Sequence, residues 1–273
     1  MASVRSLPWW VLVASGLAFA GGAPLGGSDA GSTVPAHQAH PVDPKPPAPK
    51  GKMVHLTLPD GKTSAAYVSR PKNTPRGSVL LVHEWWGLNG WMKAEADKMA
   101  SQGYLALAVD LFNGKVATTD PEAEALVKGL DDTHATQVET AGIDWLAKAA
   151  PGKKIATIGW CFGGGQSLNA SLANPDKVSA TVIYYGLPVT DVDRLRKLRG
   201  PILGIWAKKD GWITPERVAA FNTALNDAGV KHEFRSYDAD HAFANPSGAR
   251  YNPEAAKDAN EATRRWLSSA LKS

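Results

Sequence analysis

From Met53 onward the apolar positions follow two periods in turn. "VHLTL" and "SAAYVS" have roughly the every-other-residue spacing of half-buried strands. The "PDGK" between them holds an Asp-Gly turn, so the segment predicts a β-hairpin. "SVLLVH" is continuously apolar, as suits a strand covered on both faces. Further strands are expected at "YLALAV", "IATIGW", "VSATVIYY", "PILGIWA" and "HEFRSY". Helices are expected over 91–102, 121–130, 133–150, 162–173, 215–228 and 253–271. This alternation implies an α/β fold with a mostly parallel central sheet and helices on both faces. Neither an internal repeat nor a second break in composition interrupts it, so one domain over 53–273 is the simplest organisation.

The first 52 residues read differently. "MASVRSLPWWVLVASGLAFAGGAP" has Arg5, an apolar run from Leu7 to Ala20, and an Ala-x-Ala site at Ala18, Phe19 and Ala20. Residues 1–20 therefore resemble a secretory signal peptide, which predicts an exported protein, periplasmic or extracellular. The run is short for a membrane span of about 20 residues. The other reading of the segment is an uncleaved anchor, and any membrane contact is expected only through it. Residues 21–52, with "PVDPKPPAPK", are rich in Gly, Pro, Ala and Ser and read as a disordered linker. His37 and His40 lie inside it, too few for a closed metal site.

Composition is that of an ordinary globular protein, 44% hydrophobic and 21% charged, so 273 residues suffice for a large core. The net charge of +4 is spread along the chain, with no basic run of the kind that tracks phosphates, so a nucleic-acid partner is not expected. A single cysteine excludes an intramolecular disulfide.

In open α/β sheets, sites form beyond the carboxyl ends of the strands. Glu84 follows "VLLVH", Cys161 follows "IATIGW", Asp210 follows "PILGIWAKK" and His241 follows "HEFRSYDAD". Four reactive side chains thus come to one edge of the sheet. Gly159-Trp160-Cys161-Phe162-Gly163 is a G-x-S-x-G nucleophile elbow with sulfur in place of oxygen. The flanking glycines remove side chains that would collide at such a turn, and the N-terminus of the following helix favours thiolate. The backbone N–H of Phe162 is then placed for an oxyanion. The order nucleophile, acid, histidine makes Cys161 the nucleophile, His241 its base and Asp210 the carboxylate that orients the imidazole. Asp238 and Asp240 are nearer to His241, but a tight loop rarely turns them back onto the same ring. Asp-x-Asp-His is too unspecific to predict a metal.

Glu84 has two readings: a loop carboxylate, or a group that takes or holds the thiol proton. His83, beside it, reads as structural. Trp85, Trp86, Trp160, Phe162, Trp212 and Phe243 crowd the same strand ends, as core or as the wall of an apolar pocket. Trp86, Phe112, Trp212 and Phe243 are the expected pocket lining.

Together "LLVHEWWGLN", "GYLALAVDLFNG", "IGWCFGGGQS", "WAKKDGWITP" and "DADHAFAN" resemble the dienelactone hydrolase family, a branch of the α/β-hydrolases, in order from Met53 to the C-terminus. The resemblance implies a Cys161–His241–Asp210 triad. It also implies that Glu84 contacts the thiol and helps generate thiolate when substrate arrives, and that the N–H groups of Trp85 and Phe162 form the oxyanion hole. It implies arginines for a substrate carboxylate, one after the Asp-Leu-aromatic segment and one four residues past the histidine. Those places hold Asn113-Gly114-Lys115 and Asn245 here, so dienelactone is not the expected substrate; Lys115 or Arg250 are the substitutes available.

The expected function is hydrolysis of a small-molecule carboxylic ester or lactone through an acyl-thioenzyme on Cys161, in a monomer, with no metal and no other cofactor. Two readings of other classes stand beside it. A non-catalytic binding module on the same fold would have no need of all four side chains. A redox-sensing thiol lacks a resolving cysteine.

Overall fold

The computed structural model describes residues 46–272. The expected signal peptide and most of the expected linker lie outside the described residues. Eight strands form one sheet: β1 (Lys52–Thr57), β2 (Thr63–Ser69), β3 (Ser78–Val82), β4 (Leu105–Val109), β5 (Ile155–Trp160), β6 (Val178–Tyr184), β7 (Ile202–Ala207) and β8 (His232–Tyr237). Their spatial order is β1-β2-β4-β3-β5-β6-β7-β8. The hairpin strands β1 and β2 pair antiparallel, β2 runs antiparallel to β4, and every later pairing is parallel.

The continuous apolar runs have a simple cause. Successive side chains of a strand point to opposite faces, and here both faces are covered. Val79 and Leu81 of β3 pack with Ala106 and Ala108 of β4 under α1 (Gly90–Ser101) and α7 (Pro253–Ala270). Leu80 and Val82 pack with Leu105, Leu107 and Val109 under α3 (Asp132–Ala149). Beyond β5, Ile183, Ile202 and Trp206 carry α4 (Phe162–Ala173) and α6 (Pro215–Asp227). Three helices start where a polar cap precedes proline. Thr119 forms a capping box with Glu122 at α2 (Asp120–Lys128), Thr214 caps α6, and Asn252 caps α7.

The structure departs from the expectations at four places. Strand β3 ends at Val82, because His83 turns inward to bond the Glu84 carbonyl. Strand β6 ends at Tyr184, because Tyr185 takes a φ of 37°. The four-residue α5 (Val192–Leu195), capped by Asp191, is too short to show a period. The linker boundary at residue 52 also moves: β1 begins at Lys52, and the preceding residues already contact the domain. The Lys50 N–H donates to Asp97 Oδ2 at 2.9 Å, the Gly51 N–H donates to the Tyr67 hydroxyl at 2.5 Å, and Pro46 lies against Gly90.

Helix α3 turns one acid into the core. Glu139 is fully buried beside Val138, Gly142 and Ile143, and neither carboxyl oxygen has a hydrogen-bond partner among the described residues. Burial, with the charge of Asp132 added, pushes its carboxyl well above the usual range, so it holds its proton when folded. The unfolded chain releases that proton more readily, so stability falls as pH rises past the ordinary carboxylate range. Glu139→Gln removes this dependence. Urea melts from pH 5 to 8 are expected to show wild type losing stability relative to the variant by about 1.4 kcal/mol per pH unit until the buried group ionises.

Candidate active site

Strand β5 passes into α4 through Cys161, whose backbone sits at φ 54° and ψ −121°. A left-handed φ is costly for a residue with a side chain, and it lifts the sulfur clear of the sheet edge. The chain is pinned on both sides: the Cys161 N–H donates to Tyr184 O at 3.0 Å, and the Cys161 carbonyl accepts from Gly164 N–H at 2.9 Å. The turn is tight enough to require glycine. A Cβ on Gly159 would stand 1.8 Å from the Gly163 carbonyl oxygen. One on Gly163 would stand 2.3 Å and 2.4 Å from the carbonyl oxygens of Val82 and His83.

His241 follows β8, and the next residue, Ala242, has a φ of 63°, which turns the loop sharply. The imidazole Nε2 lies 3.0 Å from Cys161 Sγ. Its Nδ1 donates to Asp210 Oδ2 at 2.6 Å, which fixes Nε2 as the acceptor facing the thiol. Asp210 follows β7 and is itself held: Oδ1 accepts the N–H groups of Trp212 at 2.8 Å and Ile213 at 2.9 Å. Burial pulls the Asp210 carboxyl upward, but the bond and charge of His241 and those two N–H groups outweigh it, so it lies below the ordinary value.

Burial, followed by the charge of Glu84, pushes Cys161 up; the Phe162 N–H at the helix N-terminus pulls it down, in the direction expected, the charge of Asp210 raises it again, and Arg250 lowers it, leaving it well above the ordinary thiol range. Burial thus outweighs the helix N-terminus and favours the protonated thiol.

Glu84 is buried beside this group. Its Oε2 accepts from Asn245 Nδ2 at 2.6 Å, and Oε1 has no hydrogen-bond partner among the described residues. Among the described residues it makes no hydrogen bond to the thiol, and its charge raises the thiol's pKa. Burial raises the Glu84 carboxyl to about 7, against the pull of the Asn245 bond and of the Arg250 charge. His83 is structural: Nδ1 donates to the Glu84 carbonyl at 2.6 Å and Nε2 accepts from Leu111 N–H at 3.1 Å, with burial holding the ring neutral. It thereby ties together the loops that follow β3 and β4.

The expected pocket lining separates. Trp212 is exposed, its ring 5.0 Å from that of His241 and under the Arg250 guanidinium at 5.5 Å. Trp86 meets Trp85 edge-on at 5.1 Å, and its carbonyl accepts from Ala117 N–H. Phe112 and Phe243 are core residues. Phe112 packs between His83 and Phe162, and Phe243 is fully enclosed against Tyr185 and Tyr237, so neither is a wall open to solvent. Trp160 likewise packs inside, on Trp91 and Tyr184. Asp238 faces Lys209 at 3.2 Å and Asp240 is exposed. Lys115 is exposed, and its carbonyl abuts Gly87.

Two residues at the site escaped the sequence reading. Asn245 bonds Glu84 from the far end of the chain, a relation no local pattern carries. Tyr185, with its ring 5.1 Å from His241, has a buried hydroxyl with no hydrogen-bond partner among the described residues. The strand pattern running through it hid the turn at its φ of 37°.

A mostly parallel eight-stranded sheet, a sharp strand-to-helix turn carrying Cys161, and a histidine and an aspartate on later loops define an α/β-hydrolase architecture. The model of the dienelactone hydrolase family matches residues 64–271, and the chain belongs to that family and is a hydrolase of it. A Saccharolobus solfataricus protein that carries the name carboxymethylenebutenolidase is 30% identical over 249 residues, covering 76% of this chain and 95% of its own. Protein usf of Aquifex pyrophilus is 30% identical over 220 residues, 77% of this chain and 94% of its own. A crystal structure from Klebsiella pneumoniae named as a dienelactone hydrolase superposes with a TM-score of 0.72 at 27% identity, covering 80% of this chain and 98% of that one.

The elbow offers a direct test of the local packing. Gly163→Ala forces a methyl into two backbone carbonyls, so urea denaturation is expected to show a loss on the order of 3 kcal/mol.

Proposed function

We propose that the chain hydrolyses a carboxylic ester or lactone through an acyl-thioenzyme on Cys161. The observation that carries this reading is the chain of bonds Cys161 Sγ···Nε2 His241 Nδ1–H···Oδ2 Asp210, at 3.0 and 2.6 Å, on a strained turn at the sheet edge. As sulfur attacks the substrate carbonyl, its proton passes to Nε2, and the Asp210 carboxylate stabilises the imidazolium that forms. The tetrahedral oxyanion is received by the N–H groups of Phe162 and Trp85. Its collapse breaks the acyl–oxygen bond, and His241 returns the proton to the departing alkoxide. Water, deprotonated by His241, then attacks the thioester; the acid leaves and the thiol is restored. A neutral resting thiol suits this route, because proton transfer accompanies attack.

The mouth of the site bears on the substrate. Trp212 offers an exposed ring beside His241, and Arg250 over that ring is close enough for its charge to act on Cys161 and Glu84. We assign these two to the part of the substrate outside the reacting carbonyl: an apolar body against Trp212 and an acidic group near Arg250.

Cys161→Ala is expected to lower kcat/KM for small activated esters at least about 10³-fold with an unchanged melt. Asp210→Asn, which leaves the imidazole without its anionic partner, is expected to lower kcat about 10³- to 10⁴-fold. Stopped assays with chromogenic esters measure both; wild-type rates in Cys161→Ala would refute the assignment. Arg250→Met is expected to lower kcat/KM for esters with a free carboxylate about 10-fold or more, and for neutral esters less than about 3-fold, because only the former lose a charge-assisted contact.

A further inference from the structure

We propose that Asn245 is the positioning residue of Glu84: its side-chain amide ties one carboxyl oxygen to the loop that carries His241 and leaves the other for the thiol of Cys161. The thiol's part in this rests on the acyl-thioenzyme reading above.

The amide can stand only one way round. Asn245 Oδ1 accepts two hydrogen bonds from Ser247, from its N–H at 2.9 Å and its hydroxyl at 2.6 Å. The Nδ2 group must then face Glu84 Oε2, where it donates at 2.6 Å. A flipped amide would set oxygen against carboxylate and NH₂ against the Ser247 N–H, losing both of those bonds; the Ser247 hydroxyl alone could bond either orientation. Asn245 and Glu84 are both buried, so neither side chain has solvent as an alternative partner. The loop is rigid around the contact: the Asn245 N–H donates to Ala242 O at 3.1 Å, one residue past His241, and the Asn252 N–H donates to Phe243 O at 2.9 Å.

The other oxygen is the telling one. Glu84 Oε1 is buried with no donor among the described residues, a state that costs about 1–3 kcal/mol. Electrostatically, Glu84 is coupled to Cys161 on the β5–α4 elbow, Tyr185 beyond β6, and Arg250 on the His241 loop. Arg250 acts on it through space, without a salt bridge among the described residues. A neutral amide thus holds the acid in place. A cation in the same position would lock Glu84 as carboxylate, whereas the amide leaves it able to take up and release a proton beside the thiol. Asn245 touches no reacting atom in this scheme. It acts through Glu84.

The test follows the Glu84 carboxyl by ¹³C NMR and the pH profile of kcat/KM in the full chain. Glu84→Gln assigns the resonance by removing it. In wild type the titration is expected at about 7. Asn245→Leu removes the donor and should move it upward by about one pH unit or more, with the acid limb of kcat/KM following and the high-pH plateau within about 3-fold of wild type. In the Glu84→Gln background, Asn245→Leu should shift nothing further. Asn245→Asp keeps the acceptor for Ser247 and sets a second acid against Glu84, so it should also raise the midpoint, and it serves if the leucine variant fails to fold. A midpoint unmoved in both variants, or a loss of rate equal at every pH, would overturn the proposal. If Cys161→Ala keeps wild-type hydrolysis, the acyl-thioenzyme reading falls, and the carboxyl titration still decides whether Asn245 governs Glu84.

Discussion

The 3.0 Å contact between Cys161 Sγ and His241 Nε2 joins residues eighty positions apart, and much of the site holds it in place. The sulfur is carried by a left-handed turn that only the backbone approach at Gly159 and Gly163 allows. The imidazole is oriented by Asp210, and Asp210 by two backbone N–H groups of its own loop. Each of these loops leaves the carboxyl end of a parallel strand, so the sheet register sets where the three side chains arrive.

Two electrostatic effects compete at the sulfur, and their sizes decide the outcome. A helix N-terminus stabilises an adjacent anion by about 0.3–1 kcal/mol, and by about 2 in buried geometries. Burying a charged group costs more, shifting a pKa by up to about 3–5 units. The carboxylates of Glu84 and Asp210 add to that cost, so the balance favours the protonated thiol. In the proposed mechanism the thiol gives its proton to the group in contact with it, the imidazole of His241. The same burial acts on Glu84 in the same sense, raising its carboxyl to about 7.

Much of this was legible in the sequence because short-range patterns carry it. The order of strands and helices follows from apolar period, and proline marks the starts of α2, α6 and α7 within a residue. The elbow is written in five consecutive residues, and the partners of Cys161 follow strands that the pattern locates. What stayed hidden depends on contacts across the fold. Asn245 and Glu84 are 161 positions apart, and nothing local to either indicates a bond. Phe112 and Phe243 stand at strand ends, as pocket residues do, yet the loops fold them inward. The charge state of Cys161 follows from burial and neighbouring carboxylates, neither of which a linear motif records.

The reading of Cys161 as a covalent nucleophile is tested most directly by trapping. Wild-type protein mixed with an activated ester, quenched in acid within milliseconds and analysed by intact mass and peptide mapping, should carry one acyl group on the peptide that contains Cys161. The adduct should form and decay at rates that account for turnover. Rapid turnover with no adduct, or an acyl group on any other side chain, would contradict the account.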